Sequence, residues 1–178
     1  MAEEHTGNPG AGDHSWSTAR DSLTLLVGER NRATFEVLLW TFRTGRQLEA
    51  LLSDTLLEEG LDTSEFTVLC ALLVQGPPHR LAAGDIADRL VQTTGGTTKT
   101  VRRLEVRGLV QRVDDPDDKR RVVIEMTKAG AELARSSLEL ALDTFDLDIG
   151  ELDVAERTEL GARIARLSEE LGERVRRR

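Results

Sequence analysis

Residues 81–130 read LAAGDIADRLVQTTGGTTKTVRRLEVRGLVQRVDDPDDKRRVVIEMTKAG. The first part of this stretch contains two segments with apolar residues near helical spacing, 81–90 and 94–107, and Gly108 follows the second. Such spacing with a closing glycine is typical of helices. This half of the stretch therefore predicts two helices joined by a tight turn.

After Gly108 the pattern changes to β-branched residues. Leu109–Val113 and Arg121–Met126 are strand-like, and the acidic, proline-containing cluster Asp114–Asp118 between them is typical of a turn. These segments predict a β-hairpin, and Thr127 behind them is suited to cap a further helix. Helix, turn, helix and a two-stranded wing is an arrangement in which the second helix enters the major groove of DNA.

The segments on either side of this unit are predicted to be helical. A long helix is expected at Arg32–Glu59, and a second helix runs from Thr63 to the Gly-Pro-Pro breaker at 76–78. Behind the hairpin, one helix is expected at Thr127–Phe145, and a capping box at 153–156 opens the last one. The predicted fold class is mainly α with a small β-wing, and the polar, Gly-rich residues 1–18 are expected to form a disordered tail.

The last helix carries a narrow apolar seam. Its members step by four, three, four and four residues, which is close to coiled-coil spacing: Leu160, Ile164, Leu167, Leu171 and Val175. Because a stripe of this kind buries itself against another helix, the sequence predicts a homodimer.

The charge of the chain is unevenly distributed. The formal net charge is -8, yet Val91–Lys128 holds nine basic and six acidic residues and is +3, so the remainder carries -11. An acidic body with one locally basic segment is consistent with a protein that touches DNA with one part only. Only 3% of the residues are aromatic and there is no Tyr, which argues against a stacking surface for single-stranded nucleic acid.

The predicted helix at 94–107 has two different faces. At 100° per residue, Thr97, Val101 and Leu104 fall on one side and are expected to pack inward. The other side combines small residues near the helix start with cations further along. The DNA contacts predicted on this helix are Thr94, Gly95, Thr98, Lys99, Arg102 and Arg103.

The same residues resemble a known family. Asp85–Leu90, the run TKTVRRLEVRGLV at 98–110, the wing segment Asp117–Arg121 and Met126–Gly130 are similar to the winged-helix core of the MarR family of bacterial regulators. Met126 stands where the family commonly has Leu. The flanking helices also fit, so the resemblance extends over nearly everything from Arg32 onward.

The resemblance implies a single MarR-like domain at 19–178, with dimerisation helices at 19–60 and 128–178 around a winged helix-turn-helix at 61–127. Two recognition helices would then read a pseudo-palindromic operator in double-stranded DNA, with half-sites roughly 34–36 Å apart. The wing would reach DNA through its basic residues, which are Lys119, Arg120 and Arg121. The function implied is that of a ligand-responsive repressor.

A second interpretation stays open beside this one. The overall charge of -8 also fits a winged-helix protein-interaction module that does not bind DNA. The cations of the recognition helix and the wing favour the regulator, because an interaction module has little reason to carry cations at all of those places.

For an effector, the resemblance implies a small anionic or phenolic ligand, for which Trp40 and Arg43 are the candidate contacts. The alternative, which we prefer, is that Trp40 is a core or dimer contact. Cys70, the single cysteine, lies in an apolar helical stretch and is expected to act as a small hydrophobe.

Other classes of function find little support in the sequence. The three His residues show no ligand-like spacing, and no catalytic motif is present. We therefore expect no metal, no cofactor and no enzymatic activity. The chain has no apolar run long enough for a membrane span and begins without the apolar core of a signal peptide, so a cytoplasmic protein is expected.

Overall fold

The computed structural model describes residues 22, 25–90, 93–114 and 122–177. The predicted tail at 1–18 and the wing-tip cations Lys119, Arg120 and Arg121 lie outside the described residues. The elements, in chain order, are α1 (Glu29–Glu58), α2 (Thr63–Leu73), β1 (Arg80–Ala82), α3 (Ala83–Arg89), α4 (Thr94–Val106), β2 (Val110–Asp114), β3 (Val122–Met126), α5 (Lys128–Asp148) and α6 (Val154–Arg176).

The chain divides into two compact units after Ala50, and α1 continues through this point. The part of α1 in the first unit leaves large apolar side chains exposed, among them Leu38 and Phe42. The second unit, Leu51–Arg178, holds the winged helix and the last two helices.

The core of the second unit forms around α2, whose apolar residues are buried on several sides because it packs against both α4 and α5. The largest fully buried side chains come from the end of α1, from α2 to α4 and from β3: Leu56, Leu69, Leu72, Ile86, Leu104 and Ile124. Each buried Leu or Ile contributes about 1.5–3 kcal/mol relative to an exposed one. This cluster therefore fixes where α4 sits.

The sheet has three strands in the order β1-β3-β2, all antiparallel to their neighbours. The hairpin pairs Val110 with Met126, as the sequence predicted in outline. The expected helix start at Leu81 is wrong. Residues 80–82 instead pair with β3, Leu81 opposite Ile124, because the open edge of β3 satisfies their backbone groups and Leu81 is buried there. The helix begins only at Ala83.

Helix starts agree with the capping predictions. The Thr127 side chain accepts a hydrogen bond from the Gly130 N–H, and Asp153 with Glu156 forms the expected capping box. A second capping box, Asp62 with Glu65, opens α2. It was not predicted, although its two acidic residues have the same three-residue spacing as those at 153–156.

Candidate nucleic-acid interface

The inward face of α4 is as predicted. Thr97, Val101 and Leu104 are buried, with at most 2% of their surface exposed. The Thr93 side chain caps the helix by accepting a hydrogen bond from the Gly96 N–H at 3.2 Å, and Gly108 follows the helix with a positive φ of 70°. Because burial fixes the rotation of α4 about its own axis, the opposite face is the one presented outward.

The outward face of α4 carries the small and cationic residues expected there. Gly95, Thr98, Lys99 and Arg102 are exposed, and Thr94 is the first residue of the helix. Within the part of the chain that the structure describes, neither Lys99 nor Arg102 forms an ion pair. Their charges are therefore available to an anionic partner such as a phosphate backbone.

Arg103 lies differently from the other predicted contacts. Its Nη2 donates to Asp62 Oδ2 at 2.5 Å and to Ser64 Oγ at 3.0 Å, and its Nε donates to Glu65 Oε1 at 3.2 Å. Its guanidinium is thus engaged with the start of α2, and the suggestion that it contacts DNA stays a prediction.

Arg107, which was not among the predicted site residues, joins the same cluster. Its Nη1 donates to Glu65 Oε2 at 2.8 Å. Two features of the sequence signal this cluster: the Asp-x-x-Glu capping box at 62–65 and two arginines spaced by four residues, one in the last turns of α4 and one directly after it. Their pairing is a tertiary contact that no local pattern specifies.

The cluster also affects the titration of Asp62. Burial alone would raise the pKa of this carboxyl, but hydrogen bonds from the Ser64 side chain and the Glu65 N–H, with the charge of Arg103, hold the pKa below its ordinary value. Asp62 is therefore ionised at neutral pH and neutralises part of the charge of Arg103.

Ion pairs hold the strands at the base of the wing in place. Arg112 of β2 forms an ion pair with Glu105 of α4 at 3.2 Å, and Arg80 of β1 forms one with Glu125 of β3. Hydrogen bonds from Gln111 and Arg80 lower the pKa of Glu125 below its ordinary value. The strands of the wing are thus tied both to each other and to α4.

The two ligand candidates lie in the first unit, on α1. The Arg43 guanidinium carbon is 6.0 Å from the centroid of the Trp40 ring, a distance at which a cation is attracted to an aromatic face. Arg43 also lines an open depression of about 560 Å³ whose other walls are Leu39, Phe42, Arg46, Gln47 and Ala50. Trp40 does not line it, so the two candidates are neighbours but do not share this depression.

Cys70 packs against the core from α2, and burial raises the pKa of its thiol to about 11. Because the thiolate is the nucleophile, we expect alkylation by iodoacetamide to be slow at pH 7 and to accelerate about tenfold per pH unit up to pH 10. In the unfolded protein the alkylation rate should instead level off at a pH near the ordinary pKa of cysteine. A rate that levelled off near pH 7 in the folded protein would contradict the assignment.

The described ranges show neither a metal site nor a membrane span. Within them, no group of three or more His, Cys, Asp or Glu side chains is placed to hold a metal ion. In the same ranges, none of the helices combines the length and the apolar character needed to cross a membrane.

Comparison with known proteins points to one family. The sequence model of the MarR family matches residues 59–121, the segment that runs from the end of α1 to the wing. The HTH-type transcriptional repressor NicR of Pseudomonas putida is 34% identical over 101 residues, which are 54% of this chain and 60% of NicR. The chain therefore spans less than two thirds of the length of this relative.

Solved structures show the same fold. Bordetella bronchiseptica BpsR, described with regulation of its DNA binding by 6-hydroxynicotinic acid, aligns with a TM-score of 0.65 and 25% identity, over 74% of this chain and 92% of BpsR. A mutant of Escherichia coli MarR in complex with operator DNA aligns with a TM-score of 0.66 and 20% identity, over 79% of this chain and 99% of that one.

The segment matched by the family model coincides with the winged helix of the structure. The family segment covers α2, β1, α3, α4 and β2, and apart from β1 the order of these elements is the one that the sequence motifs predicted. Residues 59–121 match the MarR family, and the described residues share the fold of a solved Escherichia coli MarR structure.

Proposed function

We propose that the chain is a sequence-specific transcriptional regulator that binds double-stranded DNA as a homodimer and acts as a ligand-responsive repressor. The observation that carries the proposal is the outward face of α4, where Lys99 and Arg102 are exposed and unpaired within the described residues. A helix of this kind fits the major groove and places cations against phosphates and guanine edges.

The same placement of α4 in the major groove accounts for the remaining proposed DNA contacts. Thr94, Gly95 and Thr98 lie in the first two turns of α4, where free N–H groups and small side chains suit a phosphate. In the proposal Lys119, Arg120 and Arg121 reach the adjoining groove from the wing. Two copies of α4 then read a pseudo-palindromic operator.

The homodimer part of the proposal is supported by α6. Its apolar seam is largely exposed in the single chain, with exposed fractions of 47–57% for Leu160, Ile164, Leu171 and Val175. An exposed apolar stripe on one helix is typical of a surface that packs against a second helix. In the proposed domain plan, 19–60 and 128–178 carry the dimer contacts and 61–127 carries the DNA contacts.

The seam gives a direct test. Ile164→Ser removes an apolar side chain that is half exposed in the single chain, a loss of about 1 kcal/mol per copy and about 2 kcal/mol per dimer. We expect the dimer dissociation constant to rise about 30-fold, measured by sedimentation velocity over a dilution series. Ala162→Ser, on the opposite face of α6, is the matched control, and equal effects of the two substitutions would argue against the seam.

The effector proposal is narrower. BpsR, which the chain resembles, is described as regulated by an aromatic acid, and Arg43 beside Trp40 offers a cation and an aromatic face to a ligand of that class. We place the protein in the cytoplasm and assign it no catalytic activity, in keeping with NicR, which is named a transcriptional repressor, and with MarR, which is described in complex with operator DNA.

Selection of duplexes from a random 30-bp library tests the function without knowledge of the operator. We expect enrichment of a pseudo-palindrome whose half-sites are about one helical turn apart. Absence of any enrichment, with no binding of random duplex at low salt, would refute the regulator and favour the protein-interaction module.

A further inference from the structure

The carboxylates at the start of α2 meet two arginines near the end of α4. Glu65 accepts from Arg103 through one oxygen, at 3.2 Å, and from Arg107 through the other, at 2.8 Å. Asp62 adds a second partner for Arg103 at 2.5 Å. Two negative and two positive charges thus form one group, which we call the α2–α4 carboxylate clamp (Asp62, Glu65, Arg103 and Arg107).

Burial makes this group different from an ordinary surface ion pair. The Glu65 side chain is 6% exposed, whereas those of Arg103 and Arg107 are 39% and 34% exposed. A buried carboxylate requires its cationic partners, because leaving it unpaired costs far more than leaving a surface charge unpaired. The arginines are therefore held to Glu65, although both reach solvent.

The clamp borders the proposed DNA-binding face. Lys99, Arg102, Arg103, Val106 and Arg107 line one open groove together with Glu65. An arginine released from Glu65 would therefore lie on the same surface as Lys99 and Arg102, within reach of whatever anion binds there.

Resting on the proposed function, and in place of the DNA contact that the sequence predicted for Arg103, we propose that Glu65 determines specificity by withholding Arg103 and Arg107 from the DNA backbone. Phosphate contacts strengthen binding to every sequence alike and carry no sequence information. By holding two such cations, Glu65 limits the affinity for non-specific DNA. The DNA contacts of α4 are then made by Lys99 and Arg102 on its outward face. Glu65 is a positioning residue in this scheme, since it acts through the arginines.

The test is the salt dependence of binding to two fluorescein-labelled 30-bp duplexes, one of random sequence and one enriched by selection. Glu65→Gln keeps an oxygen that can accept the Asp62 N–H but removes the charge, and the arginines can turn to solvent. We expect the plot of log affinity against log salt for the random duplex to steepen by one to four units, at about 0.9 for each further phosphate that the dimer neutralises. The ratio of selected to random affinity should fall about tenfold.

Three controls separate this effect from others. Asp88→Asn removes an exposed charge that forms no ion pair among the described residues, and should leave the slope nearly unchanged. Arg102→Gln should flatten it. The triple variant E65Q/R103Q/R107Q should return the slope to that of the wild type, because the released cations are gone.

Arg103→Gln keeps the test decisive even if Glu65→Gln does not fold. An arginine withheld from phosphate contributes nothing to the slope, so we expect the wild-type value. A flatter slope for Arg103→Gln, or an unchanged slope for folded Glu65→Gln, would overturn the inference while leaving DNA binding intact. Failure of the wild type to bind either duplex at low salt would instead refute the proposed function, and the inference with it.

Discussion

Replacing Lys99 and Arg102 together by alanine should lower affinity for the selected duplex about 1,000-fold at physiological salt. Both side chains are exposed on α4 and unpaired within the described residues. In a homodimer the change removes four cations, each worth about 1 kcal/mol in a phosphate or base contact, and 1.4 kcal/mol corresponds to a factor of ten. The salt slope should also become shallower by about 3.6 units if all four cations contact phosphate.

The measurement is fluorescence anisotropy titration at several salt concentrations. Arg163 and Arg166 on α6 form exposed pairs with Glu159 and Glu170, so R163A/R166A removes the same charge from a different helix. We expect this control to keep its affinity within about threefold, because surface pairs of this kind contribute little. Similar losses in both variants would mean that net charge rather than the face of α4 governs binding.

Local patterns were sufficient to predict the elements around α4. Its buried face, with Val101 and Leu104, follows from a 100° rotation per residue, and the glycine at 108 marks its end. The cap at Thr127 and the capping box at 153–156 are likewise determined by a few adjacent residues. In each case the interaction that forms the structure spans less than two helical turns.

What the sequence could not supply are partners far apart in the chain. β1 exists because residues 80–82 meet an edge more than 40 positions later, as in Leu81 opposite Ile124, and three residues carry no strand period of their own. The pairing of Arg103 with Glu65 spans a similar distance. On helical periodicity alone Arg103 flanks the outward face, and only the packing of α2 against α4 shows which anion it contacts.

Among the described glycines, Gly130 has the least room for a side chain, and it lies where α5 leaves the hairpin. A Cβ on Gly130 would overlap the Leu109 carbonyl oxygen and would stand 2.9 Å from its carbon and 3.0 Å from Met126 Cγ. The Leu109 carbonyl has little freedom to move, since it accepts from the Thr127 N–H at 3.0 Å and from Thr127 Oγ1 at 3.1 Å. We therefore expect Gly130→Ala to destabilise the fold by about 3 kcal/mol or more, at the upper end for overpacking.

Thermal unfolding followed by circular dichroism should show a fall in Tm of roughly 6–12 °C for a chain of this size. Gly84→Ala is the matched control, because this helical glycine in α3 has nothing within 4 Å of the added Cβ, and there the substitution should be neutral or stabilise by up to about 1 kcal/mol. The difference in Tm between Gly130→Ala and Gly84→Ala separates the effect of steric overlap from that of helix propensity, because helix propensity favours alanine at both sites. If Gly130→Ala unfolded within 2 °C of the wild type, α5 would have to be free to shift against β2 and β3. The wing would then not be rigidly joined to the helices that we propose for the dimer.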